Sequence, residues 1–586
     1  MKVKKYILPM FLLFCLFGCE GINISKGSNS AFISSMSNNV TTNKPTSSSK
    51  HSNDNSDSIS NSMNNSTSSN TSESTSGSTT NTSFNSSSIG KNSTSSFSSE
   101  DSSIPVSTSK PPLSSSSSVE QIDQVELEYQ EFFDINTRVE ITIKMSKSEL
   151  KKLNNDYSQY KYNGGKSPLS RSADVEIRFG SKVYNFDQVG IKMKGNTSRT
   201  SFLDKNDEIN KLIHYKLDFS DTFEDEYYDG STYPLTTPKS ERKDRRFLGM
   251  EKIDLKWNRN YDSTHIKQWY AYQTFNAFGV LTNKMNLGKI NLQIDNNIPK
   301  TIGVYEVYEV IDKKFFERRL PQEEVGGDLY KCCYTAMGPA NLTVNNLDKT
   351  IGVEDEVSSY FPMYDLKTNK KTSDHSLLKN MIQYLNSNNV TKDGLAQYVN
   401  MDHYLMEEAV AYVLGNPDDF RNNYNNYYLY FGKTSQKCYL IPYDWDHCLG
   451  VTRGWNPTGN GLTQVKHNSN WAQGANSSQA NPLIKYTLGR ENIVIKEYND
   501  IYTNNIKEVF KSKWTNPNLF NEYYNIAKLH YQNDCFPEFS KASSIGIGFD
   551  NRDNAGDNMS FNQYMSKKRQ FFYSNIGEQD PGYATY

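Results

Sequence analysis

Two short acidic segments in the last third of the chain carry side chains suited to metal-assisted chemistry. Asp418 and Asp419 lie in a loop rich in amide side chains, and Asp444 and Asp446 follow the next aromatic run. Magnesium prefers oxygen ligands, often one or two carboxylates together with phosphate oxygens. A further carboxylate can orient a hydroxyl nucleophile and accept its proton. The spacing therefore predicts a cation site beside a general base, although loop turns and caps are the ordinary alternative for these residues.

A basic turn earlier in the chain is suited to an anion. A predicted strand runs into a polar turn at Gly195 and Arg199, and the next predicted strand carries Lys216. Exposed backbone N–H groups, a guanidinium and an ammonium together can bind phosphate. The segment is not a Walker loop, and no G-x-G-x-x-G segment occurs in the chain. Lys216 also has the ordinary interpretation of a solvated residue at a sheet edge.

Hydrophobic periodicity indicates the elements that must hold these side chains. Ser146-x-x-Glu149 is a capping box that opens a helix through about Asn155. Predicted strands cover residues 139–145, 173–179, 188–193, 214–219, 289–294, 303–311, 328–331, 427–431 and 439–443. Predicted helices cover residues 264–278, 373–387, 401–414, 483–487, 501–510, 521–530 and 561–575. The fold class is therefore α+β, with a β-rich first half, a helix-rich second half and no internal repeat.

Six segments, in order, resemble the motifs of the spore coat protein H (CotH) kinase-like family. Its "RGNSSR…SYKIK" pattern is similar to Lys194–Arg199 followed by Tyr215–Leu217. Its other motifs are an Asn followed by "DPT", "GLYLLVEKID", "LYK", "NNYYLY" and "IPWDxD". They resemble, in turn, Trp257–Thr264, Gly303–Asp312, Asp328–Lys331, Asn425–Tyr430 and Ile441–Asp446. The resemblance spans roughly Val139 to Tyr573.

The resemblance implies an atypical protein-kinase-like fold of two lobes, β-rich at the N-terminal side and helix-rich at the C-terminal side. It also implies ATP and Mg²⁺ (or Mn²⁺) as cofactors, and Ser or Thr of secreted or surface proteins as acceptors. Carried across by position, Lys216 would hold the nucleotide phosphates, with Arg199 nearby. Glu309 lies on the strand that would lead towards the nucleotide pocket.

The same resemblance implies roles for the acidic loops. Asp418 would be the catalytic carboxylate, and Asp419 is the alternative. Asp444 would hold the metal, a role that Asp446 could share or replace. The amide ligand would be Asn426 or Asn423, the latter having the Asp-x-x-x-x-Asn spacing of ordinary kinases from Asp418. Lys194, Lys267 and Tyr443 depart from the family pattern, but no carboxylate is lost, so the motifs do not indicate a dead enzyme.

The first part of the chain is typical of an exported lipoprotein. Residues 1–18 combine a basic start with a short apolar run, and Leu16–Cys19 resembles the bacterial lipobox. We expect Cys19 to be the lipid anchor, with an ordinary signal peptide as the alternative. Residues 19–120 are rich in Ser, Thr and Asn and predict a disordered tether. Residues 121–586 form the predicted kinase-like domain, which would be extracytoplasmic and lipid-anchored to the cell membrane.

Net charge and cysteine spacing argue against some partners and some kinds of site for this chain. A formal net charge of −2 argues against nucleic acid as the main partner, because phosphate backbones need a basic surface. The five cysteines after Cys19 lack the spacing of a disulfide framework or a zinc site, although a single Cys438–Cys448 bridge is possible. The expected partner is a Ser/Thr-rich surface protein, with the chain's own tether as a local acceptor.

Two other functions fit the same sequence. One is a kinase-like binding module without turnover, recognising a surface protein or polysaccharide through residues such as Trp445, Trp455 and Trp471. The other is a structural envelope lipoprotein whose acidic loops bind Ca²⁺. Phosphoryl transfer from ATP distinguishes the kinase from both.

Overall fold

A computed structural model describes residues 123–585, apart from 162–163, 224–235, 357, 452–459, 470–480, 490–492, 552–554 and 557–558. The predicted signal peptide, Cys19 and the predicted tether lie outside the described residues, as do Trp455 and Trp471. Among the helices within the described ranges, none has both the length and the apolar character needed to cross a bilayer.

A closed barrel is built from seven strands in the described part of the chain. They are β1 (Val139–Met145), β2 (Arg171–Phe179), β3 (Lys182–Lys194), β4 (His214–Asp218), β5 (Lys252–Trp257), β6 (Met285–Ile294) and β7 (Lys300–Glu309). Their order around the barrel is β1-β2-β3-β4-β5-β7-β6. Neighbours are antiparallel except β1 and β6, which run parallel and close the barrel.

Alternating side chains give the barrel a buried interior and a polar exterior. In β2, Val175, Ile177 and Phe179 are buried, whereas the residues between them are more exposed. Leu217 of β4 and Leu255 of β5 belong to the same apolar cluster. Because successive strand residues point to opposite faces, the charged residues that alternate with Leu217 and Leu255 lie on the outer face of β4 and β5.

A second sheet of short strands lies later in the chain. Its strands are β8 (Leu329–Cys332), β9 (Ile351–Gly352), β10 (Tyr364–Leu366), β11 (Tyr427–Phe431) and β12 (Cys438–Pro442). They are arranged in the order β12-β11-β8-β10-β9. The predicted hairpin is confirmed, because β11 and β12 pair antiparallel with Tyr427 opposite Pro442. The residues just before Tyr427 and just after Pro442 therefore lie at the same end of the hairpin.

The helices among the described residues concentrate in the second half of the chain. They are α1 (Gln124–Phe132), α2 (Lys147–Gln159), α3 (Lys239–Arg242), α4 (Lys267–Ala277), α5 (Lys313–Glu317), α6 (Leu347–Thr350), α7 (Ser376–Leu385), α8 (Lys392–Tyr398), α9 (Met401–Leu414), α10 (Pro482–Thr487), α11 (Lys496–Lys511), α12 (Pro517–Tyr531) and α13 (Phe561–Ile576). Short 3₁₀ turns occur at Gln322–Glu324 and Lys513–Thr515. The largest apolar cluster surrounds α9, which packs against α11, α4 and β12.

The mixed α+β composition predicted from periodicity is confirmed. The bounds of α9 and β11 coincide with the predicted 401–414 and 427–431, and Ser146 caps α2 as predicted by accepting a hydrogen bond from the backbone N–H of Glu149. Periodicity missed several elements, among them β5, α1 and α8. The possible Cys438–Cys448 bridge is not formed, because both residues are free, buried cysteines.

Candidate active site

The outer face of strands β3, β4, β5 and β7 carries a row of charged and polar side chains. Lys216 of β4 lies opposite Asp254 of β5, and Lys256 of β5 lies opposite Glu306 of β7. Asp254 also pairs with Tyr308 across β5 and β7. Since cross-strand partners share a face of the sheet, this register places the ammonium and carboxylate groups in one surface row.

Asp254 holds two of the ammonium groups. Its Oδ2 lies 2.8 Å from Lys194 Nζ, and its Oδ1 lies 3.9 Å from Lys216 Nζ. Asp254 raises the pKa of Lys216, but burial and the charge of Lys194 outweigh it and lower the pKa to about 8. The Lys216 side chain is still 37% exposed, so solvent moderates the shift. Lys216 is therefore an accessible cation, whereas Lys194 is less exposed and is paired with Asp254.

The loop after β12 brings Asp444 and Asp446 to this row. Lys256 Nζ donates a hydrogen bond to Asp444 Oδ1 and lies 3.4 Å from Asp446 Oδ2. Burial alone would raise the pKa of Asp444, but the ammonium of Lys256 holds it well below its usual range. Asp444 has a left-handed φ of 57°, which Asp tolerates better than most residues. Its backbone N–H donates to Tyr272 Oη of α4 at 3.0 Å, which fixes the loop.

Glu306 is a partly buried acid on the same row. Tyr308 donates a hydrogen bond from its hydroxyl to Glu306 Oε2 at 2.6 Å. Burial raises the pKa of Glu306 to about 8, although the charge of Lys256 opposes the shift. Asp446 and Glu306 also line a small cavity next to Gln268 of α4.

Asp418 lies in the loop between α9 and β11. Its Oδ1 accepts hydrogen bonds from the side-chain amides of Asn423 at 2.7 Å and Asn425 at 3.1 Å. Burial raises the pKa of Asp418 to about 6 against the effect of these two bonds, and the negative charge of Asp444 adds to the rise. Hydrogen bonds from its own loop therefore orient the Asp418 carboxylate, and the negative charge of Asp444 affects its pKa.

Asp419 supports the loop from inside. Its Oδ1 accepts from the backbone N–H groups of Arg421 at 3.0 Å and Asn422 at 2.7 Å, and from the Asn422 amide at 3.0 Å. The residue is 4% exposed, and burial raises the pKa of its carboxyl to about 7. Because these bonds turn its oxygen into its own loop, the contacts favour Asp418 over Asp419 as the carboxylate that faces a substrate.

Arg421 anchors the same loop to the helical region. Its guanidinium donates to Tyr502 Oη of α11 at 2.6 Å and to the carbonyl of Ser469 at 3.0 Å. Its distance of 3.7 Å from Glu408 Oε2 of α9 is an ion-pair distance but too long for a hydrogen bond. Burial raises the pKa of Glu408 to about 8 despite the attraction of Arg421. Arg421 therefore holds the Asp418 loop chiefly through hydrogen bonds.

The side-chain amides of the two predicted ligands, Asn423 and Asn426, both donate hydrogen bonds to Asp418. Asn423 binds its carboxylate, whereas Asn426 donates from Nδ2 to its backbone carbonyl at 2.9 Å. The carbonyl of Asn426 in turn accepts from the backbone N–H of Tyr443 at 3.1 Å. Asn426 therefore joins the Asp418 loop to the Asp444 loop through the backbone.

Arg199 has contacts of its own, away from β4 in sequence. Its Nη1 donates to the carbonyl of Gly164 at 3.2 Å. Burial lowers the pKa of Arg199 to about 10, although the negative charges of Glu354 and Glu356 raise it. The contacts given by the described residues for Arg199 and Lys216 do not include each other, so their predicted proximity stays a prediction.

Glu309, the residue of β7 that the family resemblance selects, is held in a buried ion pair. Arg319 Nη2 lies 2.5 Å from Glu309 Oε2, and Arg318 Nη1 lies 3.7 Å from Oε1. The Glu309 side chain is 1% exposed, so this buried ion pair occupies it. Glu309 is three residues from Glu306, and an odd offset along a strand points to the opposite face. The acid of β7 that faces Lys256 is therefore Glu306.

Sequence reasoning missed Asp254 and Lys256 because it did not recognise β5. It predicted most of β7 but selected Glu309 on that strand and not Glu306. The signal was present in Lys252-Ile-Asp-Leu-Lys-Trp257, where apolar and charged residues alternate without interruption. Alternation of this kind indicates a half-buried strand whose outer face is charged. Lys331 of β8 was likewise quoted only as part of a motif, yet its Nζ lies 5.1 Å from the centre of the Tyr443 ring.

The donor set at Asp444 and Asp446 fits a hard divalent cation that also has phosphate ligands. No described residue donates a hydrogen bond to Asp444 Oδ2, and the two side chains are 32% and 27% exposed. No group of three or more His, Cys, Asp or Glu residues within the described ranges could hold a metal by itself. Two carboxylates completed by phosphate oxygens are a common magnesium environment.

Comparison with known proteins agrees with the motifs. The family model described as CotH kinase protein matches residues 224–535, more than half of the chain. The chain therefore belongs to the CotH kinase family. The matched region begins after β4, so it includes Lys256, Asp418 and Asp444 but not Lys216.

Other comparisons add little. No curated protein shows a significant match. A solved structure, titled as a crystal structure of a Helicobacter pylori proinflammatory kinase CtkA, is 13% identical and has a TM-score of 0.21. The match covers 48% of this chain and 87% of that one. A TM-score of this size is too low to establish a shared fold.

Proposed function

We propose that the protein is an atypical protein kinase that transfers the γ-phosphate of ATP to Ser or Thr of secreted or envelope proteins. The observation that carries the proposal is the junction of two acidic loops. The hydrogen bond from Tyr443 N–H to the Asn426 carbonyl sets the Asp418 loop beside the Asp444 loop, next to the lysines of the barrel. Membership of the CotH kinase family supports the same class of reaction.

Asp418 is the proposed base. Its carboxylate accepts the proton of the acceptor hydroxyl while that oxygen bonds to the γ-phosphorus, and the bond from phosphorus to the departing ADP oxygen breaks. Asn423 and Asn425 hold Oδ1, while no described residue donates a hydrogen bond to Oδ2. A carboxylate with one oriented and one open oxygen suits this role, because positioning is a large part of phosphoryl transfer.

The remaining groups neutralise charge. Lys216 is exposed enough to contact a phosphate, and Lys194 is held beside it by Asp254. Asp444 and Asp446 would hold Mg²⁺ or Mn²⁺, which neutralises phosphate oxygens when bound. We place the nucleotide between the β1–β7 barrel and the helical region from α7 to α13, as the two lobes of a kinase-like fold.

The location and the partner are part of the proposal. We infer that Cys19 carries the lipid, that the domain is held outside the membrane, and that the Ser/Thr-rich tether spaces it from the surface. The support is the lipobox-like Leu16–Cys19 segment and the composition of residues 19–120. The expected acceptors are surface proteins rich in Ser and Thr.

Phosphotransfer is the direct test. Full-length protein is incubated with γ-labelled ATP, Mg²⁺ or Mn²⁺, and a Ser-rich acceptor. We expect Asp418→Asn and Asp444→Asn each to reduce transfer by about a hundredfold or more, since a general base alone contributes on this scale. Asp374→Asn is the matched control, because Asp374 is exposed and only caps the start of α7.

The outcomes separate the candidate functions. Transfer that is absent, or that survives both active-site substitutions, contradicts the kinase proposal. Thermal stabilisation by nucleotide without transfer favours the binding module that has lost turnover. A response to Ca²⁺ but not to nucleotide favours the structural lipoprotein.

A further inference from the structure

An ammonium group already occupies the place between the two proposed metal-binding carboxylates. Lys256 Nζ is hydrogen-bonded to Asp444 Oδ1 and lies 3.4 Å from Asp446 Oδ2. A cation shared by two carboxylates is the arrangement that a divalent metal would otherwise adopt. With Lys256 in place, the two carboxylates and their ammonium carry a net charge of −1 instead of −2.

Lys256 is built into the site. It belongs to a strand of the closed barrel, and its side chain is only 8% exposed, compared with 32% for Asp444. Tyr308 also lies against it, with Nζ 5.5 Å from the ring centre. The lysine therefore lies on the buried side of the carboxylates, which keep their exposed side for a ligand.

Further positive charge acts on Asp444. Lys194 and Lys331 both act on Asp444 electrostatically, in addition to Lys256. A free divalent cation approaching this row meets lysine charges that oppose it. A cation that arrives with a polyphosphate brings negative charge, and the same lysines attract that complex.

From this geometry we infer that Lys256 makes cation binding conditional on polyphosphate: the site excludes the free divalent cation and admits the metal–nucleotide complex. The inference rests on the proposed function and deepens it, because it assigns the order in which the two cofactors enter. Lys256 is a positioning residue for the two carboxylates, and its charge also opposes the binding of a free metal ion.

The first test needs only the unaltered full chain. Mn²⁺ alone is titrated into the protein by calorimetry, and the melting temperature is then measured with a non-hydrolysable ATP analogue, with and without Mn²⁺. We expect little heat from Mn²⁺ alone and a higher melting temperature with analogue plus Mn²⁺ than with analogue alone. Saturable binding of Mn²⁺ alone, as tight as in the Lys256 variant below, overturns the inference.

The second test removes the ammonium. Lys256→Met should bind Mn²⁺ alone at least about tenfold more tightly than the unaltered protein, because the opposing charge is gone. Lys256→Arg keeps the charge and should bind Mn²⁺ as weakly as the unaltered protein. Lys252→Met is the matched control, since Lys252 lies on the same face of β5 and is also paired with a carboxylate, Asp218 at 3.1 Å. No tightening in Lys256→Met, or equal tightening in Lys252→Met, contradicts the inference.

The results distinguish this inference from the proposed function. If the analogue with Mn²⁺ stabilises the protein but Lys256→Met does not tighten Mn²⁺ binding, the kinase proposal stands and the gating role is wrong. If the analogue never stabilises the protein, with or without Mn²⁺, both are wrong.

Discussion

Asp418 is the side chain on which the proposed transfer depends, and the groups around it have opposite effects on its pKa. Burial and the charge of Asp444 favour its protonated form, whereas the amides of Asn423 and Asn425 favour the carboxylate. The balance raises the pKa of Asp418 to about 6, which is close enough to neutrality for a base that is ionised at pH 7 and still basic.

At the residue scale, this balance predicts the pH dependence of the reaction. Only ionised Asp418 can accept the hydroxyl proton, so kcat/KM should fall as pH decreases through about 6. Asn425→Ala removes a hydrogen bond that favours the charged form, so it should raise the pKa and move the acidic limb to higher pH. Measuring kcat/KM between pH 5 and 8.5 checks both, and a profile that is flat from pH 5 to 7 contradicts the assignment.

At the element scale, the Asp418 loop depends on the way α9 ends. Gly415 follows the last residue of α9 with a left-handed φ of 61°. A Cβ at this position would lie 2.2 Å from Tyr564 Oη, and that hydroxyl already donates to the carbonyl of Val413. The close approach of α13 therefore fixes the point where the loop begins.

Gly415→Ala should destabilise the protein more than a helix-end glycine normally does. The left-handed conformation alone costs about 1–2 kcal/mol for a residue with a Cβ, and the contact with Tyr564 adds to that cost. Gly577→Ala at the end of α13 is the matched control, because Gly577 has a φ of 74° but nothing within 4 Å of the added Cβ. Urea unfolding should show the larger loss for Gly415→Ala, and Tyr564→Phe should recover part of it.

At the scale of the whole molecule, the predicted tether and the predicted kinase-like domain belong to one chain. Residues 19–120 contain most of the chain's closely spaced Ser and Thr, and an acceptor on a flexible linker has a high effective concentration for an attached enzyme. If the domain is a Ser/Thr kinase, its own tether is the acceptor that it meets most often.

We expect autophosphorylation between Ser25 and Ser118. Within one molecule, the rate constant per protein should not change on dilution, whereas transfer between molecules slows in proportion. Mass spectrometry of the full chain after incubation with ATP, over a hundredfold range of protein concentration, measures both the sites and the order of the reaction. Asp418→Asn should leave the tether unmodified, and an unmodified tether in the active unaltered protein contradicts the prediction.

Local patterns in the sequence were sufficient for many elements and for the acidic loops. The apolar spacing of residues 401–414 and the aromatic run 427–431 define α9 and β11 because helix and strand periods depend on neighbours a few residues apart. The loop between them necessarily contains Asp418, and the hairpin necessarily brings Asn426 near Tyr443. The sequence by itself therefore determined which loops meet, and its motifs indicated the family.

Only the tertiary structure decided which charges face one another. Lys256 and Asp444 are far apart in sequence, and their contact depends on how the loop after β12 meets the barrel. The choice of Glu306 over Glu309 depends on strand register, because a shift of one residue turns a side chain to the opposite face. Burial then set the pKa values of Asp418 and Lys216, since desolvation depends on everything packed around a group and not on its neighbours in the chain.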